Sequence, residues 1–144
     1  MGMYTELIFG CKLSKSTPKV CLDALNHVIN GKEDDPVSEE VQSFITKYSL
    51  DYLCWCSSYY FGVCESISKM WYDSISNSWR ISIRSSIKNY NNEIERFLDY
   101  IKNYVERGSG DREIYAYVTY EKAEFPTIYA LTGVYNMPEI KDEE

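Results

Sequence analysis

Apolar and polar residues alternate with a period of two in several segments, and this pattern predicts β-strands. The first segment is MYTELIFGCKL, in which Leu7, Phe9 and Cys11 share one parity. Aromatic, β-branched and small residues dominate the chain after position 50 and predict three more strands, at about 51–61, 67–74 and 79–87. Two further strands, REIYAYVTY and PTIYALTGV, are expected on either side of a turn at 124–126.

Helical spacing of apolar residues marks the remaining segments. STPKVCLDALNHVINGK carries Pro18 in its first turn and Gly31 at its end, which are typical helix boundaries. A short second helix is expected to begin after a cap at Ser38. The longest pattern, NNEIERFLDYIKNYVERG, opens with acidic residues and closes with basic ones, and it places Phe97 and Leu98 on its apolar face.

The order of these elements favours an α+β fold. Consecutive strands without an intervening helix pair as antiparallel hairpins, so we expect a mainly antiparallel sheet of five or six strands with the two main helices on one face. Neither a repeat nor a long linker divides the chain. The sequence therefore predicts a single domain over residues 1–138 and an acidic C-terminal tail over residues 139–144.

Composition limits the cellular setting. No apolar run approaches the ~20 residues that span a bilayer, and no targeting segment is recognisable at the N-terminus, so a cytoplasmic protein without membrane contact is expected. The five cysteines are odd in number and show no pattern of paired spacings, which favours reduced thiols over disulfides. No metal site and no cofactor are predicted.

Catalytic patterns are sparse. The chain has one histidine, His27, which excludes sites that require a histidine pair. No phosphate-binding glycine-rich loop occurs, and nothing singles out one carboxylate pair among 22 acids. An enzyme with an unrecognised site is the third of our functional hypotheses.

The segment SWRISIRSSIKNY carries cations on one parity of a strand. Arg80, Arg84 and Lys88 alternate with apolar residues, and the stretch from Lys69 to Lys88 has a net charge of +3 in a chain of net charge -7. One interpretation is a solvated face whose cations pair with acids on neighbouring strands. The other is a binding surface for a carboxylate, a phosphate or a partner protein, and the tyrosines expected beside it are Tyr59, Tyr115 and Tyr117.

Acidic residues concentrate in the connector KEDDPVSEE. A run of this kind is usually a solvated loop and helix start, where the helix dipole favours acids. It is also a candidate partner-facing surface that could occupy basic sites meant for nucleic acid. Its candidate residues are Glu33, Asp34, Asp35, Glu39 and Glu40.

Half of the chain resembles a family of short, uncharacterised proteins found in bacteriophages and mobile elements of Gram-positive bacteria. The resemblance rests on four patterns, Y-D-x-I-S-x-x-W, R-S-x-x-K-N-Y, E-I-E-x-F-L and P-T-I-Y. The residues that match are Tyr72, Asp73, Ile75, Ser76, Trp79, Arg84, Ser85, Lys88, Asn89, Tyr90, Glu93, Ile94, Glu95, Phe97, Leu98 and 126–129. The resemblance implies a mobile-element origin and identifies no chemistry.

These observations favour a non-enzymatic interaction protein that inhibits a host defence or nucleic-acid-processing protein. The alternative is a module that captures a small anionic ligand, such as a nucleotide signal, through Arg80, Arg84 and Lys88. Direct binding of duplex DNA is not expected at a pI near 4.8. The sequence leaves open whether the protein forms a homo-oligomer.

Overall fold

The computed structural model describes residues 3–32, 34–58, 65–107 and 113–136. Within these ranges, six strands and four α-helices make up the fold. The strands are β1 (Thr5–Lys12), β2 (Ile67–Asp73), β3 (Ser78–Ile87), β4 (Ile114–Tyr120), β5 (Thr127–Ala130) and β6 (Gly133–Asn136). The helices are α1 (Lys19–Asn30), α2 (Glu39–Lys47), α3 (Leu50–Trp55) and α4 (Glu93–Ile101), and a 3-10 turn, Lys102–Tyr104, follows α4.

The strands form one sheet in the order β2-β3-β1-β4-β5-β6, and every neighbouring pair is antiparallel. β1 therefore lies between β3 and β4, which both come later in the chain. This confirms the predicted α+β fold with an antiparallel sheet. The acidic tail predicted at 139–144 lies outside the described residues.

The core lies between the sheet and the helices. Odd-numbered residues of β1 and β3 point to this side, and α4 packs on them through Phe97, whose ring meets that of Phe9 edge-on at 5.5 Å between centroids. The fully buried large side chains are Phe9, Phe97, Leu7, Leu13, Leu25, Leu50, Leu53, Ile81, Ile83, Ile94, Leu98 and Ile101. Side chains from the apolar faces of the helices thus form one half of the core, and side chains from one face of the strands form the other.

The strand predicted at 51–61 is wrong where the structure describes it. Residues Leu50–Trp55 form α3 instead, with Leu50, Leu53 and Cys54 buried. Their i, i+3, i+4 spacing is helical, but the aromatic and β-branched residues around them conceal it. The hydroxyls of Ser68 and Ser85 donate to the carbonyls of Cys54 and Leu53, which fixes α3 against the sheet.

Two other predicted boundaries also differ from the structure. The long helix ends at Ile101 because the chain after it pairs with the end of β1, where Ser14 N donates to Tyr104 O at 2.7 Å and Glu106 N donates to Lys12 O at 2.8 Å. The segment PTIYALTGV is a hairpin of β5 and β6 rather than one strand. Gly133, with φ of 151°, permits the reversal.

The four α-helices of the described residues are between six and twelve residues long, and none is both long enough and apolar enough to traverse a bilayer.

Candidate functional site

The sheet has one face that no described helix covers. Successive residues of a strand point to opposite faces, and the odd-numbered residues of β1 and β3 face the core. The residues on the opposite side are therefore the even-numbered ones, including Ile8, Arg80 and Arg84. We call this surface the open face. It contains the two arginines of the segment SWRISIRSSIKNY, so the predicted separation of that strand into apolar and cationic sides is what the structure shows.

One register row crosses the whole open face. It takes one residue from each of the six strands, and each residue is directly opposite the next. In sheet order the residues are Ile67, Arg84, Ile8, Tyr117, Ile128 and Tyr135. We call this set the cross-strand row. Five of its six members are aliphatic or aromatic, which is unusual for a sheet face that is not covered.

Large apolar side chains on the open face are well exposed to solvent. Ile67 is 59% exposed, Tyr135 48%, Trp71 41% and Tyr117 38%. Trp71 is on the edge strand β2, opposite Arg80, so it extends the apolar surface beyond the cross-strand row. Exposed apolar side chains are normal when scattered but indicate an interaction surface when they are contiguous.

Arg80 is paired with an acid of the neighbouring hairpin strand. Its Nε donates to Asp73 Oδ2 at 3.0 Å, and the same carboxylate accepts from Ser76 Oγ at 2.9 Å and from Ile75 N at 3.0 Å. The hydrogen bond from Arg80, followed by those from Ser76 and Ile75, lowers the pKa of Asp73 to about 2. Asp73 thus fixes both the β2–β3 turn and the direction of Arg80.

Arg84 is paired with Glu6 of β1. Arg84 Nη2 lies 3.4 Å from Glu6 Oε2, and the side chain of Glu6 is only 11% exposed. Arg84 Nε is buried without a hydrogen-bond partner. The solvated-face interpretation therefore holds in one respect, because both arginines meet acids across strands. Each pair uses a single donor of a guanidinium that has five.

Lys88, the third predicted cation, does not join the arginines. It follows the end of β3, is exposed and lines clefts on the other side of the sheet. Along an extended strand Arg80 and Arg84 are about 13 Å apart, and Arg80 and Lys88 about 26 Å apart. The three residues therefore do not converge on one small anion.

The predicted tyrosines are divided between the two faces. Tyr117 lies on the open face in the cross-strand row. Tyr115 is buried on the core side, where its ring packs edge-on against Phe9. Regular alternation would place Tyr115 on the same face as Tyr117, but a register shift between Ile114 and Ala116 interrupts that alternation. The prediction that Tyr115 lies beside the cations of β3 was wrong. Tyr59 lies outside the described residues.

The acidic connector is exposed in the described part. Asp35 Oδ2 accepts from Lys32 N at 2.7 Å, and Ser38 Oγ accepts from Val41 N at 3.2 Å, so Ser38 caps α2 as predicted. Glu39 and Glu40 occupy the first turn of α2. The exposed acids are Asp34, Asp35, Glu39 and Glu40, and Glu33 lies outside the described residues.

The cysteines of the described residues are free thiols. Cys21 and Cys54 are fully buried, whereas Cys11 and Cys56 are partly exposed; Cys64 lies outside the described residues. Within those same residues no group of three or more His, Cys, Asp or Glu side chains could hold a metal ion.

Sequence reasoning identified Arg84 and Tyr117 of the cross-strand row and missed the other four residues. Ile67 and Ile8 lie in predicted strands but are not predicted to be site residues. Ile128 lies in PTIYALTGV, which predicts a single strand, and Tyr135 follows that segment. A signal for Ile128 is present in the sequence, because this residue lies between Pro126 and Ala130 in a segment of β-branched and aromatic residues, which is typical of a strand. Its neighbours in the row could not be found without the strand order.

Comparison of the chain with protein-family models, with curated proteins and with solved structures gives no match.

Proposed function

We propose that this protein is a non-enzymatic binding protein that docks a protein partner on the open face of its sheet. The observation that supports this most directly is the cross-strand row, which joins all six strands in one line of apolar, aromatic and arginine side chains. A sheet face that served only as solvated surface would carry polar residues at these positions.

The size of the open face suits a specific interface. Six strands at the usual spacing span about 24 Å, and the longer strands extend by a similar length, so the face measures on the order of 500–600 Å² in projection. Each partner in a standard protein–protein interface contributes roughly 800 Å², and transient interfaces contribute less. The open face can therefore form most of one side of such an interface.

The residue types suit an interface as well. Tyrosine, tryptophan and arginine are the residues that most often contribute large binding energies, and Tyr117, Trp71 and Arg84 are all on the open face. They are held on paired strands rather than on loops. Little conformational entropy is consequently lost when a partner binds.

The charge of the open face favours an acidic partner. Lys12, Lys69, Arg80 and Arg84 are its cationic strand residues, and they outnumber Glu6 and Asp73 on the strands together with Glu106, which pairs with Lys12 at 3.6 Å; these residues are therefore net positive in a chain of net charge -7. A partner carboxylate could accept from the guanidinium donors that the pairs with Asp73 and Glu6 leave unused. Face-to-face packing of two copies would oppose like charges, which disfavours a homodimer through this surface.

The expected mobile-element origin and cytoplasmic location support the choice of a host protein as partner. A host defence or nucleic-acid-processing protein that presents a carboxylate among apolar groups would fit the open face. Inhibition would then follow if the same surface of the host protein is needed for its activity.

A capture experiment with matched variants tests the proposal. The protein is immobilised and exposed to lysate of a Gram-positive bacterium, and the retained proteins are quantified by mass spectrometry. The variant Tyr117→Ser with Tyr135→Ser removes two exposed rings from the open face. The control, Tyr52→Ser with Tyr90→Ser, removes two rings that are 66% and 65% exposed elsewhere on the protein.

We expect one or a few proteins to be retained by the wild type and by the control but not by the open-face variant. A photo-crosslinking residue at position 117 should then join the same protein covalently. Retention that is equal in all three proteins, with no crosslink from position 117, would refute a role for the open face.

A second candidate surface is the acidic connector, because four of its carboxylates are exposed and form no ion pair with any described residue. A surface of this kind could occupy a basic nucleic-acid-binding site of a host protein. Its structural role is also clear, since Asp35 closes the loop and Glu39 and Glu40 favour the start of α2.

Two experiments distinguish the open face from the acidic connector: neutralisation of the connector carboxylates, and measurement of binding at increasing salt concentration. Replacement of Asp34, Asp35, Glu39 and Glu40 by amides should leave capture unchanged if the open face binds the partner. If the acidic connector is the binding surface, the same replacement should abolish capture, and binding by the wild type should weaken steeply as salt is raised.

A further inference from the structure

A second concave site lies on the core side of the sheet, where α4 does not reach the end of the strands. The cleft has a volume of about 460 Å³. Its floor is formed by Thr5 of β1, Val118 of β4 and Tyr129 of β5, and one wall by Glu95 in the first turn of α4. Volumes of this order are typical of sites for small molecules.

Two opposite charges line this cleft without pairing with each other. Glu95 is partly buried, and Lys88 precedes the connection that leads into α4. No ion pair joins them, or joins either to another described residue. Asn89 Nδ2 donates to both oxygens of Glu95, at 2.8 and 2.9 Å, so the carboxylate is held in a fixed orientation.

The floor of the cleft contains polar groups that the protein leaves unused. The residue Thr5 is only 5% exposed, its hydroxyl forms no hydrogen bond with a described residue, and that oxygen is not among the buried side-chain atoms left without a partner, so it is accessible from the cleft. The hydroxyl of Tyr129 likewise forms none with the described part of the chain. Burial, together with the nearby charge of Glu95, raises the pKa of Tyr129, so this hydroxyl stays protonated and can donate.

Apolar side chains complete the cleft. Phe125, from the turn between β4 and β5, lines it together with Tyr120 and Val118. These groups offer an apolar surface in the same cleft as the two charges. A ligand with an apolar body and charged substituents at one end would satisfy both parts of the cleft.

We propose that this cleft binds a small zwitterion with an apolar or aromatic side chain, the chemistry of a free α-amino acid, with Glu95 receiving its ammonium group and Lys88 its carboxylate. Thr5 and Tyr129 supply hydroxyl groups to the charged end, and Phe125 contacts the side chain. A ligand with only one of the two charges would leave either Glu95 or Lys88 without its partner.

This site is independent of the open face. The cleft lies on the opposite side of the sheet, and none of its residues belongs to the cross-strand row. Loss of partner capture and loss of zwitterion binding would therefore be separate results from separate variants.

The test uses three probes that differ only in charge. Titration calorimetry is carried out on the full chain with L-phenylalanine, with phenethylamine, which lacks the carboxylate, and with 3-phenylpropanoate, which lacks the ammonium group. We expect saturable binding of L-phenylalanine and binding weaker by about tenfold or more for each of the other two, because each lacks one charge-assisted contact.

Variants assign the two charges. Glu95→Gln should reduce the preference for L-phenylalanine over 3-phenylpropanoate, and Lys88→Met should reduce its preference over phenethylamine. Thr5→Val conserves shape and should weaken binding of all probes that carry a charge. Glu124→Gln, at an exposed position outside the cleft, serves as the control and should change nothing.

A folding control keeps the result interpretable. Ala123→Phe adds a ring at an exposed position that lines the cleft, so it should block binding while thermal unfolding is unchanged. The proposal is wrong if L-phenylalanine, L-leucine and L-methionine all fail to give saturable binding at concentrations up to about 10 mM, which corresponds to negligible affinity. It is equally wrong if they bind with affinities that Glu95→Gln, Lys88→Met and Ala123→Phe leave unaltered.

Discussion

Arg84 and Glu6 form an ion pair diagonally across the neighbouring strands β3 and β1, with 3.4 Å between Nη2 and Oε2. The two partners differ in environment, because the side chain of Arg84 is 39% exposed whereas that of Glu6 is 11% exposed. The arginine therefore has a second role beside any partner contact. It satisfies a carboxylate that the open face would otherwise bury alone.

Removal of the arginine should consequently destabilise the fold. In Arg84→Met the carboxylate of Glu6 loses its cation, and we expect the free energy of unfolding to fall by about 1–3 kcal/mol, the cost of leaving a buried polar group without its partner. Chemical denaturation monitored by circular dichroism measures this change. The double variant Glu6→Gln with Arg84→Met should recover part of the loss, because it removes both charges. Equal stability of the single and double variants would show that Glu6 does not depend on Arg84.

The Asp73–Arg80 pair predicts that the stability of the folded protein depends on pH under acidic conditions. The pKa of Asp73 is lowered from its ordinary value of 3.8 to about 2, so the carboxylate stabilises the folded state above pH 3.8. This contribution is lost as the pH falls from 3.8 through about 2. The stability difference between the wild type and Asp73→Asn should therefore be constant at neutral pH and should shrink between about pH 4 and pH 2.

NMR titration of the Asp73 carboxyl carbon gives the pKa directly. In Arg80→Met the pKa should rise because the largest cause of the shift is removed, but it should stay below 3.8 since Ser76 Oγ and Ile75 N still donate. An unchanged pKa in this variant would contradict the assignment of Arg80 as the dominant cause.

The sequence was sufficient to predict the fold class because its patterns are local. The parity of β1 and β3 and the apolar face of α4 each depend on residues close together in the chain. The region from 50 to 58 was not predictable in this way. Its β-forming composition is overridden by burial of Leu50, Leu53 and Cys54 against the sheet.

The candidate site could be predicted only in part, for a different reason. The cationic parity of β3 located Arg80 and Arg84, but the cross-strand row depends on which strand lies beside which. That order places β1 between β3 and β4, and no local pattern specifies it. The cleft beside Glu95 depends in the same way on contacts between distant segments, such as Thr5 and Tyr129.

Two buried thiols should be chemically inert in the folded protein. Cys21 and Cys54 are fully buried, and desolvation raises the pKa of each to about 12, so almost no thiolate is present at pH 8. Their alkylation by iodoacetamide should proceed only through unfolding and should accelerate sharply in denaturant. Peptide mass spectrometry after a timed reaction measures each site. Rapid modification of either cysteine in native buffer would show that α1 or α3 is displaced from the sheet far more often than its burial implies.

Asn89 should contribute to stability through its side chain as well as its backbone. Its φ of 45° lies in the left-handed region, its Oδ1 accepts from Ile94 N at 2.9 Å, and its Nδ2 binds Glu95. Asn89→Gly keeps the backbone conformation and loses these bonds, so we expect a loss of about 1 kcal/mol. Asn89→Ala should lose about 1 kcal/mol more, because alanine is strained in this conformation.

Asn92 provides the matched control, since its φ of 56° is also left-handed but its side chain does not cap the helix. Asn92→Gly should therefore leave the free energy of unfolding nearly unchanged. The comparison of the two glycine variants by denaturant titration isolates the side-chain bonds of Asn89 from its backbone conformation. If both variants lose the same stability, those bonds contribute nothing. If only Asn89→Gly is destabilised, the connection between β3 and α4 is held by the same asparagine that orients Glu95 in the cleft.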